Sequence, residues 1–174
     1  IVHEGTPARK HISLTGAMEA YPALFGRPEN AARFFKFGVM RDPIDWIGSW
    51  YRYRSGNQVE TPLPEGMTFA EFWQRKDWNI RHPDGSGKYL QRDVFCDASG
   101  AVLADVILPY DRLGALFAEI CECLGMSVEL PRQNISRKTA MPDTVPEELR
   151  DELREFYAED YALLAQLETL NNQG

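Results

Sequence analysis

Apolar and polar positions divide the chain into a strand-turn-helix unit near its front, an irregular middle and helical segments behind it. Phe34-Phe35-Lys36-Phe37-Gly38-Val39-Met40 is an apolar run of strand length and aromatic character. It predicts a buried strand of a parallel sheet. Asp42 offers an N-cap and Pro43 the first helical position. Ile44, Ile47, Trp50, Tyr51 and Arg54 follow at helical spacing. Phe34 to Arg54 therefore reads as strand, tight turn and helix. Ahead of it, Ser13 to Phe25 predicts a short helix with a Ser cap, interrupted near Pro22.

Behind the unit the pattern loosens. Ser55 to Pro64 reads as a surface loop, Thr68 to Arg75 as a helix carrying Phe69, Phe72 and Trp73, and Asn79 to Lys88 as a second loop. Such a long irregular middle is often a binding edge. Tyr89 to Phe95 and Val102 to Leu108 predict two strands joined through an Asp97-Ala98-Ser99-Gly100 turn, a hairpin or paired segments. Asp111 to Leu124 is an amphipathic helix stopped by Gly125. Thr144-Val145-Pro146-Glu147 reads as a capping box. The helix after it puts Leu149, Leu153, Phe156, Tyr157, Tyr161, Leu164 and Leu167 on one side, with the intervening acids and arginines as a solvated face.

The 174 residues suit one compact domain spanning 1–174, with 44% hydrophobic and 26% charged residues. The net charge of −7 argues against a general attraction to nucleic acid or anionic membrane, while leaving room for a small basic pocket. No apolar run is long enough to span a bilayer. Cys96, Cys121 and Cys123 read as buried reduced thiols of a cytoplasmic protein, and no zinc spacing accompanies them, so no metal is expected. Cys121 and Cys123, two apart in a helix, point to different sides. The chain begins at Ile1 rather than Met, which predicts residues upstream, cut away or not covered.

Arg41 carries the first chemical expectation. It stands at the carboxyl end of a strand, beside a helix start, where open α/β sheets bind ligands. The helix start is expected to supply free N–H groups and partial positive charge. The guanidinium adds a bidentate fork for phosphate oxygens. Ser49, further along the helix, can donate a hydroxyl to the same anion if its face turns inward. The other reading of Arg41 is a structural pairing with Asp42 or Asp45.

Arg41-Asp42-Pro43-Ile44-Asp45-Trp46-Ile47-Gly48-Ser49-Trp50-Tyr51 resembles the 3′-phosphate-binding motif of the sulfotransferases that use 3′-phosphoadenosine-5′-phosphosulfate (PAPS). The resemblance implies that Arg41 and Ser49 hold the 3′-phosphate; Trp46 stands where the family often has Arg. Further pieces keep the family's order. Lys10-His11-Ile12-Ser13 is similar to a Lys-His-x-Ser run, and Gln91 falls where bacterial and carbohydrate-type members often carry Gln in the strand region. Val106 to Leu113, Leu124-Gly125-Met126, Leu130-Pro131, Asn134-Ile135-Ser136 and Tyr157-Ala158-Glu159-Asp160-Tyr161 complete it.

The resemblance implies a three-layer α/β/α fold with a mainly parallel sheet, like that of P-loop NTPases. It also implies PAPS or its product PAP as co-substrate without metal, and a hydroxyl-bearing acceptor. Arg137 and Lys138, after the Asn-x-Ser piece, would reach the 3′-phosphate from the opposite side; otherwise they are two exposed basic residues. His11 is the candidate base, against a structural hydrogen-bonding role. His3 and His82 are weaker candidates. Trp46, Trp50, Tyr51, Tyr53, Trp73 and Trp78 read as core, or as rings to stack on adenine or line an acceptor pocket.

The family's opening strand and P-K-T-G-T-T-S loop, which wraps the 5′-phosphosulfate, is not found between Ile1 and Gly174. Asp84-Gly85-Ser86-Gly87-Lys88 does not replace it, because a P-loop needs Gly where His82 stands and Ser or Thr where Tyr89 stands. The loop is expected upstream of Ile1. If the protein lacks it, the alternative is a non-catalytic 3′-phosphonucleotide-binding remnant of the same fold. A P-loop kinase relative is disfavoured, since no Mg²⁺-binding acid follows an apolar strand in the required way.

Overall fold

Local capping chemistry sets the early element boundaries. In a computed structural model, which describes residues 12–56, 61–76, 78, 89–130 and 145–171, Ser13 Oγ accepts the Gly16 N–H at 3.1 Å and opens α1 (Leu14–Ala20). Then come α2 (Pro22–Phe25), α3 (Pro28–Ala31), β1 (Phe37–Met40), α4 (Pro43–Gly56), α5 (Phe69–Gln74) and α6 (Arg92–Phe95). β2 (Val106–Pro109), α7 (Leu113–Cys123), α8 (Arg150–Phe156) and α9 (Ala158–Asn171) complete the order, with 3₁₀ turns at Tyr110–Arg112 and Glu147–Leu149. Asp42 caps α4 as expected: its Oδ1 accepts the Asp45 N–H at 2.9 Å. Thr68 and Glu71 form a reciprocal capping box at the start of α5.

The fold is mixed α/β around a small parallel sheet. Among the described residues β1 and β2 form one two-stranded sheet, with Phe37 opposite Val106 and Met40 opposite Pro109. Side chains alternate between its faces. Met40 and Ile107 face a core shared with Phe95, Cys96 and Leu163. Gly38 lies on that face too, and a Cβ there would collide with the Phe95 ring. On the other face Phe37 meets Phe117 of α7 with ring centroids 5.9 Å apart. A second core lies between α4, α5 and α8, built on Ile47, Tyr51, Phe72, Trp73, Leu153 and Tyr157.

Several expectations are corrected. The first strand begins at Phe37, and its burial is confined to Met40; Phe34, Phe35, Phe37 and Val39 are exposed. Phe34 instead turns back onto Phe25, and β1 has only β2 as a neighbour among the described residues. Tyr89 to Phe95 is not a strand. Its second half is α6, because the Asp160 carboxylate accepts the N–H groups of Gln91 and Arg92 and so stabilises a helical turn. The hairpin reduces to a single antiparallel bridge, Cys96 with Val102, although the turn between them is tied by Asp97 as predicted. The last long helix breaks at Tyr157 into α8 and α9. Asp160, placed by the sequence on a solvated face, is fully buried. Cys96 and Cys121 are buried, Cys123 is exposed, and all three are free thiols. Thr144 and the Asn79–Lys88 loop lie outside the described residues.

Candidate functional site

Both parallel strands run out into one cavity. Its volume is about 740 Å³, and it is lined by Arg41, Asp42 and Asp45 from the end of β1 and the start of α4. Tyr110 and Asp111 join them from just past β2, and Tyr161 and Leu164 from α9. This is the carboxyl edge of a parallel sheet, the usual ligand position in such folds. The Arg41 guanidinium lies over the Tyr110 ring, 4.8 Å from its centroid. None of the ion pairs among the described residues involves Arg41. The structure therefore does not use it to clip Asp42 or Asp45.

The start of α4 is less open than its sequence suggested. Pro43 has no N–H. Asp42 takes the N–H of Asp45 through Oδ1 and that of Trp46 through its carbonyl, at 2.9 and 2.8 Å. The Tyr161 hydroxyl donates to Asp42 Oδ2 at 3.2 Å and is itself approached by the Ile44 N–H. Burial, then the Asp42 charge, pushes the Tyr161 phenol up to about 12, so it stays a donor at neutral pH. The free N–H groups expected at this helix start are thus taken by the protein itself. An anion entering the cavity meets Arg41 and the helix dipole, not a row of open amides.

Two buried polar residues stand behind Arg41. The Gln91 amide accepts the Arg41 N–H at 3.1 Å and donates to the Arg41 carbonyl at 2.9 Å. Asp160 accepts the Gln91 N–H at 3.0 Å and the Arg92 N–H at 2.8 Å, one on each carboxylate oxygen. Burial pushes the Asp160 carboxyl up to about 6, and the two N–H donors hold it below what burial alone would give. Glu159 pairs with the Arg92 guanidinium alongside. Sequence reasoning noted Gln91 and Asp160 only as parts of a family pattern and gave neither a role in the site. The available signal was position: Asp160 follows Tyr157 by three residues, which sets it on the helix's apolar stripe.

Of the residues expected to bind or react, Arg41 lines the cavity and Ser49 does not. Ser49 is half-buried two turns along α4. His11, Arg137 and Lys138 lie outside the described residues. The aromatic set divides. Tyr51, Trp73 and Trp78 are core, Trp46 and Trp50 pack against it, and Tyr53 is exposed and stacked on Trp50 with centroids 5.6 Å apart. Asp42, Asp45 and Asp111 share the cavity wall, yet the described residues hold no group of three or more side chains placed to ligate a metal.

A family model described as "Sulfotransferase family" matches residues 8–165. The chain belongs to the sulfotransferase family. No curated protein and no solved structure matches it. The matched span runs from before α1 into α9, so it takes in Arg41, Gln91, Asp160 and Tyr161 together. Sulfotransferase membership carries group transfer as the general chemistry, with a nucleotide co-substrate and an acceptor. Among the described residues no helix is long and apolar enough to cross a membrane.

Proposed function

We propose that this sulfotransferase takes PAPS as its donor and passes the sulfuryl group to a hydroxyl-bearing acceptor. The observation that carries the reading is the Arg41 guanidinium, presented to a cavity at the carboxyl ends of two parallel strands without an ion-pair partner among the described residues. A planar, permanently charged fork fits a phosphate there. The donor supplies an activated sulfuryl group; the chain's task is to bind and orient it. Arg41 holds the 3′-phosphate, with Arg137 and Lys138 as its further basic ligands and His11 as the base for the acceptor hydroxyl; Ser49, which does not line the cavity, is left out of this assignment. Three acids share the lining with one arginine among the described residues, so this site needs the additional basic pair to favour an anion.

The same reading makes residues 1–174 one domain of the three-layer α/β/α type. Helices packed on both faces of the parallel pair support it: Phe95 of α6 and Leu163 of α9 on one side, Phe117 of α7 on the other.

Calorimetry with adenosine 3′,5′-bisphosphate tests the donor site. The chain is expected to bind it without Mg²⁺. Arg41→Ala removes a charge-assisted bidentate contact and is expected to weaken binding about 10- to 100-fold with little change in melting temperature. Wild-type affinity in that variant, or binding of ATP that depends on Mg²⁺, overturns the assignment.

A further inference from the structure

Arg41 lies one residue past the last ladder partner of β1, since Met40 opposite Pro109 closes the register. Its N–H and carbonyl pair with no strand among the described residues. The Gln91 side chain takes that place, accepting the N–H through Oε1 and donating Nε2–H to the carbonyl, at 3.1 and 2.9 Å. The planar amide does both at once, its oxygen and nitrogen set side by side for the two backbone groups. A glutamate has no donor for the carbonyl, and an aliphatic chain has neither group. Only one orientation of the amide satisfies both bonds, so the network fixes which end is oxygen.

Gln91 is in turn held from α9. Asp160, fully buried, takes the N–H groups of residues 91 and 92. The next residue, Tyr161, donates to Asp42. Consecutive residues of one helical turn thus grip consecutive residues of the strand end, Arg41 through Gln91 and Asp42 directly. The guanidinium itself rests against the Tyr110 ring, a contact that leaves it free to rotate in its own plane. The directional restraint on residue 41 is therefore at its backbone.

We infer that Gln91, anchored by Asp160, is a positioning residue that fixes the backbone from which Arg41 reaches the anion. The inference rests on the donor reading above. Fixing that backbone beforehand lowers the ordering cost of binding, so its loss appears as lost affinity through Arg41. A Gln91 that merely completes the fold would lower stability without acting through Arg41.

Gln91→Met keeps length and volume and removes both bonds. In the full chain, its affinity for adenosine 3′,5′-bisphosphate is expected to fall about tenfold, within the range for lost hydrogen bonds at a charged site. In an Arg41→Ala background the same change is expected to cost no further affinity, while the melting temperature falls equally in both backgrounds. Unchanged binding by Q91M, or an equal loss with and without Arg41, overturns the inference and leaves the donor reading standing. Should Q91M fail to fold, Gln91→Glu, isosteric and still able to accept the Arg41 N–H, sets a carboxylate oxygen against the Arg41 carbonyl and is expected to bind more weakly than the wild type; wild-type affinity there overturns it equally. A wild-type chain that takes up no bisphosphate overturns the donor reading, and this one with it.

Discussion

The two ends of β1 are each fastened by a carboxylate, and the two carboxylates titrate in opposite directions. At the start of the strand, Asp105 accepts both the backbone N–H and the ammonium of Lys36, each at 2.7 Å, while its side chain stays 43% exposed. The Lys36 hydrogen bonds hold the Asp105 carboxyl below its ordinary range. At the far end, Asp160 also accepts two N–H groups, yet burial pushes it up to about 6. Near water, desolvation is small and the donors win. In the interior desolvation outweighs two good hydrogen bonds. One clamp keeps a strand in register at the surface, whereas the other spends stability on placing an arginine.

The largest break in this comparison is expected on a pH scale. Asp160 binds its proton more tightly folded than unfolded. Its contribution is fully present below about pH 4 and is lost as pH rises through about 6, a fall of about 3 kcal/mol. Arg92, whose charge is shared with Glu159, and Asp93 are the charged groups facing it, with the Tyr157 phenol close by. Asp105 acts with the opposite sign, stabilising above about pH 4 and fading as pH falls below it. Chemical denaturation at a series of pH values reads the balance. If the stability of the wild-type chain rises from pH 4 to 6 relative to Asp160→Asn, the burial argument is wrong.

Asp160→Asn sharpens the same contrast. A protonated carboxyl keeps its carbonyl and, more weakly, its hydroxyl oxygen as acceptors for the Gln91 and Arg92 amides, whereas a carboxamide sets an NH₂ donor against one of them. At pH 4 the variant is therefore expected to be about 1–3 kcal/mol less stable than the wild type. The wild type's advantage should vanish, or reverse by up to about 2 kcal/mol, as pH rises and the wild-type carboxylate ionises. The smallest effect belongs to the exposed end. Lys36→Ala is expected to cost at most about 1 kcal/mol, and less in high salt. A larger loss there would mean that the exposed clamp carries weight which its exposure does not suggest.

What was legible in the sequence was local. The Ser13 and Asp42 caps, the helix after β1, the Asp97 turn and the stop at Gly125 all depend on residues a few positions apart, where side-chain type dictates backbone geometry. Arg41 was found for the same reason, since a strand end followed by Asp-Pro is a short pattern. The rest was hidden in distance. α6 is helical only because a carboxylate from far along the chain caps it, and the N–H groups before Ile47 are closed by Asp42 and a tyrosine from α9. Neither partner leaves a mark in the local pattern of the segment it controls. The exposed phenylalanines of β1 were misread because an apolar run states a preference for burial and not the presence of a neighbour.

The Tyr161–Asp42 hydrogen bond joins residues 119 positions apart. During synthesis, therefore, the strand, Arg41 and the whole of α4 leave the ribosome long before the residues that brace them. At about 5–20 residues per second, the Arg41 edge of the cavity spends roughly 6–24 s as an arginine on an unbraced strand end. It takes its final shape only when the first turn of α9 arrives.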